Sequence, residues 1–157
     1  MEIGHLYSRR EFGMVTLAGL AALQRINSTI KGVQIGAITY SFNRLIGGAE
    51  EILKAYRAIG LGEMELMSNH AEALAGAPAP ARGGGGRRGT PMTPEETAAR
   101  ATAAKLTTDW RAAATEATFQ PVRKKIQDAG IDLRLLCFNM NSQATDETIE
   151  YGFNMAK

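Results

Sequence analysis

Two apolar runs of β-forming residues, separated by one short amphipathic helix and by glycines, restrict the folds open to this chain more than any other feature. Residues 32–42 (GVQIGAITYSF) are rich in β-branched side chains, and their apolar content suits a strand covered on both faces. Gly47 and Gly48 then break the chain. Residues 49–59 have helical periodicity, with Ile52, Leu53, Tyr56 and Ile59 on one stripe and Glu50, Glu51, Lys54 and Arg57 outside it. Gly60 and Gly62 mark the helix end, and residues 64–67 (MELM) form a second strand that delivers Ser68, Asn69 and His70 at its C-terminal end. Strand, helix and strand within about 35 residues make one βαβ unit, for which a parallel pair with a right-handed crossover is the default.

The next segment is a different material. Residues 75–92 combine alternating alanine and proline with Arg82, a run of glycines, Arg87 and Arg88, and read as a flexible, solvated insertion. Arginines beside glycines also fit an anion cradle, but no GxxxxGK[ST] pattern is present. Thr93, Pro94, Glu95 and Glu96 then start a helix: a capping hydroxyl, a proline for the first turn and acids for the positive dipole end. Leu106, Trp110 and Ala114 are spaced as a buried stripe, an interruption is expected near residues 118–121, and Val122, Ile126 and Ala129 continue as a second helical piece. After Gly130, residues 131–138 form a third strand with Asn139 in its polar exit, and a last helix begins near Thr145. The resulting β-α-β-α-β-α order leaves a parallel sheet with two unpaired edges.

Ahead of all this, Ser8, Arg9, Arg10, Glu11 and Phe12 precede an uncharged apolar run at residues 13–23, which looks like a twin-arginine export signal. The run is about 11 residues, short of the roughly 20 that a membrane-spanning helix needs, so a leader over residues 1–31 is expected rather than a stable span. The partner it implies is the twin-arginine export machinery, and the location periplasmic or exported. An N-terminal amphipathic helix that carries Arg9 and Arg10 is the other reading of the same residues. The formal charge of +2 falls entirely within that leader, through Arg9, Arg10, Arg25 and Lys31 against Glu2 and Glu11. A neutral remainder with few aromatics carries no electrostatic footprint for nucleic acid. The lone Cys137 sits among leucines and phenylalanine and is expected as a small buried hydrophobe; no intramolecular disulfide is possible.

The twin-arginine leader, Val33-Gln34-Ile35-Gly36 with Tyr40-Ser41-Phe42, the run from Gly62 to Met67, and the step Asp128-Ala129-Gly130-Ile131 into the third strand together resemble the sugar phosphate isomerase/epimerase family. The resemblance implies an α/β fold, a xylose isomerase-like TIM (β/α)8 barrel, over residues 32–157. Such a barrel takes about 250 residues and eight βα units, so this chain is expected to supply the first three as an N-terminal fragment, incomplete and inactive alone. It further implies a divalent metal, Mn, Zn, Co or Mg, whose ligands come mainly from later strands and are not in this chain, and a small sugar or polyol as ligand. The chemistry implied is metal-assisted proton transfer beside a carbonyl.

Barrels of this kind place the active site at the C-terminal strand ends, which makes Glu65, His70, Tyr40 and Asn139 the candidate substrate-binding residues. Glu65 lies among Met and Leu, where a carboxylate is costly unless it is paired, for instance with Arg134, or faces the barrel mouth. His70 is placed to bind a sugar hydroxyl or assist proton transfer, or is a solvated loop histidine. Tyr40, with Phe42, offers an aromatic wall and Asn139 an amide, or each packs locally. Two other functions compete: a non-catalytic sugar-binding or scaffold protein on the same barrel, and a metal-dependent endonuclease, which the neutral, histidine-poor sequence disfavours.

Overall fold

The computed structural model describes residues 25–79, 92–140 and 142–157. Arg9, Arg10 and the apolar run of the leader, with most of the 75–92 insertion, lie outside the described residues. Strand β1 (Thr29–Ile30) turns back antiparallel onto β2 (Val33–Gln34) through Lys31 and Gly32, whose φ angles are 50° and 81°. Consecutive left-handed residues are what a two-residue hairpin loop requires, and glycine adopts that conformation without a Cβ clash. The run expected as one strand is therefore divided. β2 stays in the hairpin, β3 (Gly36–Ile38) enters the main sheet, and a 3₁₀ turn over Thr39–Phe42 follows.

The main sheet has the order β3-β4-β5, all parallel, with β4 at Glu63–Met67 and β5 at Asp132–Cys137. Helix α1 (Ala49–Ile59) links β3 to β4; α2 (Ser68–Leu74), α3 (Pro94–Ala113) and α4 (Glu116–Asp128) lie between β4 and β5; α5 (Asp146–Ala156) follows β5. The fold is thus mixed α/β, a small parallel three-stranded sheet interleaved with helices, and among the described residues it does not close into a barrel.

The two-residue period of β4 separates the faces of this sheet. Met64 and Leu66 are 1% and 3% exposed and join Ile52 and Tyr56 of α1, Val122 and Ile126 of α4, and Tyr151 and Met155 of α5 in one core. Glu63 and Glu65 point the other way. On β5 the alternation is interrupted: Leu133 pairs with Met64 but Leu135 with Glu65, so Arg134 is an extra residue in a bulge. Leu133 and Leu136 consequently both pack toward the helices, while Leu135 is left 61% exposed beside Glu65. Among the described residues, helices cover one face of the sheet and leave the other open, in place of the two-sided cover expected from composition.

Residues 26–28 cross the N-terminal ends of β4 and β5. Ile26 N–H donates to Gly130 O at 2.8 Å, and Gly62 N–H donates to Ser28 Oγ at 3.0 Å. The approach is so close that a Cβ on Gly62 would fall 2.0 Å from Ile26 O. Residues grouped with the leader on sequence grounds thus take part in the fold, and they occupy the strand ends opposite to the candidate site.

Helix α3 starts as its sequence dictates: Thr93 Oγ1 accepts Glu96 N–H at 3.1 Å and Glu96 Oε2 accepts Thr93 N–H at 2.8 Å, with Pro94 in the first turn. It has no buried residue, and Leu106, expected inside, is 52% exposed. Among the described residues only its last turn is anchored, through Trp110 edge-on to Phe119 and Arg111 to Glu72. The break before α4 comes at Ala114 and Thr115, earlier than residues 118–121, because Thr115 takes an extended backbone and its N–H is accepted by Thr118 Oγ1 at 3.0 Å. Pro121 is carried inside α4. Ile59, the last residue of α1, is exposed rather than part of the buried stripe.

Candidate functional site

The C-terminal ends of β3 and β4 are joined by one buried hydroxyl. Thr39, 1% exposed, follows β3; its Oγ1 accepts the Met67 N–H at the end of β4 at 2.9 Å and lies 2.9 Å from His70 Nδ1 in the first turn of α2. The stretch after β4, read from sequence as a loop, is helical from Ser68. That helix holds the half-buried imidazole against the neighbouring strand end, and burial pushes its pKa below the ordinary 6.5, which favours the neutral ring. His70 is therefore held at one ring nitrogen and half-buried.

The other candidates are placed differently. Glu65 sits mid-strand on the open face, in register with Ile38 and Leu135, in a shallow depression of about 270 Å³ shared with Gly36, Glu63 and Arg134. Its carboxylate makes no hydrogen bond or ion pair among the described residues. Arg134, the partner considered for it, is engaged elsewhere: Nη2 lies 2.7 Å from Glu63 Oε1 and 3.1 Å from Asp132 Oδ2, with Arg25 Nη1 3.5 Å from Asp132 on the other side. The charge of Glu65 acts across the sheet instead. The Tyr56 phenol on the covered side is pushed up to about 12, by burial first and by Glu65 second.

Tyr40 is 59% exposed in the 3₁₀ turn, and Asn139 is exposed beyond β5, where its Oδ1 lies 4.0 Å from Cys137 Sγ. Phe42 turns inward and packs its ring on Tyr56, 5.1 Å between centroids, so it serves the core and not a ligand wall. Cys137, expected as buried, is half-buried because the β5 bulge sets it in register with Met67 at the strand end. The four candidates lie at the C-terminal end or on the open face of one sheet, but among the described residues only His70 is tied by its side chain to a neighbouring strand. Sequence reading missed Thr39, whose one available signal was a small hydroxyl residue at the end of an apolar strand.

It also missed a second polar cluster. Glu72, 7% exposed in α2, accepts Arg111 Nε at 2.8 Å and Nη2 at 3.0 Å from α3 and the Tyr151 hydroxyl at 2.8 Å from α5. Arg111 also stands 5.9 Å from the centre of the Tyr151 ring. Every carboxylate oxygen in it is paired, which makes the cluster a tie between three helices and leaves nothing for a ligand.

The divalent ion implied by the resemblance finds no donor set here: no group of three or more His, Cys, Asp or Glu suited to a metal occurs among the described residues. Nor is any helix among them long and apolar enough to cross a membrane. Comparison with protein-family models, with curated proteins and with solved structures found no match.

Proposed function

We propose that the chain forms the opening βα units of a xylose isomerase-like barrel and contributes to a sugar isomerase/epimerase that holds a small sugar or polyol at the C-terminal strand ends. One observation carries this reading: parallel strands adjacent in chain order, with all packed helices on one face. That is the repeating unit of a (β/α)8 barrel, whereas a doubly wound sheet has helices on both faces. Glu65 on the open face then corresponds to the barrel interior, and His70, Tyr40 and Asn139 to its mouth. No step of the reading runs through a metal, because the described residues offer no donor cluster for one.

Titrating the ¹⁵N-labelled chain with D-fructose and with D-sorbitol tests it. Saturable shifts at His70, Tyr40, Glu65 and Asn139 are expected, and shifts elsewhere or none at all overturn it. A second reading is a non-catalytic sugar-binding or scaffold protein on the same architecture. Joining this chain to the later βα units of an active isomerase separates the two: turnover in the chimera belongs to the isomerase, binding without turnover to the second reading. The leader is proposed to direct twin-arginine export to the periplasm; Arg9→Lys with Arg10→Lys should block translocation of a folded reporter fused to residues 1–31.

A further inference from the structure

Thr39 has a single hydroxyl hydrogen and, at 1% exposure, no solvent to receive it. Its oxygen already accepts the Met67 N–H, and the one acceptor within hydrogen-bond reach among the described residues is His70 Nδ1 at 2.9 Å. An O–H that donates to Nδ1 needs that nitrogen unprotonated, which places the imidazole hydrogen on Nε2. We infer that Thr39 is a positioning residue that locks His70 in the neutral Nε2–H tautomer, so that His70 offers a hydrogen-bond donor to a ligand oxygen at the strand ends and serves neither as a base nor as a metal ligand through that nitrogen.

The alternatives each break a bond. If Nδ1 carried the hydrogen and donated to Thr39, the threonine hydrogen would be buried without an acceptor, and a doubly protonated ring has the same defect. A histidine that ligates a metal through Nε2 passes its Nδ1–H to a carboxylate, carbonyl or water. Thr39 Oγ1, already accepting from Met67, is not such a group. Nε2 itself has no partner among the described residues, which leaves its hydrogen for a carbonyl or hydroxyl oxygen. Burial of the ring acts in the same direction, toward the neutral form.

The ligand part of this inference rests on the sugar-binding reading; the tautomer part does not, and the experiment keeps them apart. In the full chain carrying ¹⁵N-histidine, with His5→Gln removing the other imidazole, long-range ¹H–¹⁵N correlation reads both ring nitrogens of His70. Nδ1 should resonate as an unprotonated acceptor and Nε2 as a protonated donor. Thr39→Val should move the two shifts toward each other as the tautomers mix, and Thr39→Ser should restore them. A protonated Nδ1 in the unsubstituted chain overturns the inference whatever the variants do, and so does a Thr39→Val spectrum identical to it. Zn²⁺ that removes the Nε2 hydrogen signal also overturns it. Added D-fructose should shift Nε2; the expected tautomer without that response leaves Thr39 in its role and removes the sugar.

Discussion

The two faces of the central sheet are built from neighbouring residues of the same strands, yet one is a core and the other a surface. Met64 and Leu66 vanish under α1, α4 and α5, while Glu63 and Glu65, which alternate with them, look outward. Two leucines make the contrast sharpest: Leu66 is 3% exposed and Leu135, one strand away, 61%. Stability is concentrated on the first face. The second contributes little burial, and substitutions there are expected to cost little stability.

Substituting those leucines tests this division directly. Leu66→Ala should lower unfolding free energy by about 2–5 kcal/mol, the cost of lost transfer plus cavity, read from the urea midpoint. Glu72→Gln comes next: it strips the charge from a buried carboxylate paired with Arg111 and Tyr151, and a loss of about 1–3 kcal/mol is expected. Hydrogen exchange should then quicken in α3 well before α1, since Arg111 anchors the only packed turn of α3. Equal loss of protection in both helices would show the tie is not local.

A smaller effect concerns pH. Burial lowers the His70 pKa below 6.5, so near and below that value the unfolded chain binds more protons than the folded one, and stability rises with pH. The contribution is complete above 6.5 and is lost as pH falls through the folded-state value. His70→Gln should flatten this part of the stability profile, and a slope of opposite sign would mean the ring is charged in the fold. Smallest of all, Leu135→Ala should change stability by no more than about 0.5 kcal/mol. A core-sized loss there would break the comparison outright, because it would mean that something covers the open face in solution.

Much of this architecture could be read from residue order. Helix α1 ends where its stripe and Gly60 put it, the capping residues of α3 act as their types dictate, and β4 and β5 fall within a residue of their expected bounds. What escaped depends on contacts between distant segments. Residues 32–42 have strand composition throughout, but the hairpin partner Thr29–Ile30 captures the first part of the run. Leu106 has core spacing, but among the described residues no partner buries it on the α3 stem. His70 stood out as a candidate by its residue type. The hydroxyl that orients it did not, because a threonine at a strand end has no distinguishing neighbour in the chain; its meaning comes from Met67 and His70, brought there by the crossover.

The extra residue in β5 has a reach beyond its own position. Arg134 acts as a half-step in a zipper: if the strand alternated regularly through it instead of bulging, Leu135 would turn beneath the helices and Leu136 would swing outward. One irregular step thus lets Leu133 and Leu136, three positions apart, serve the same core.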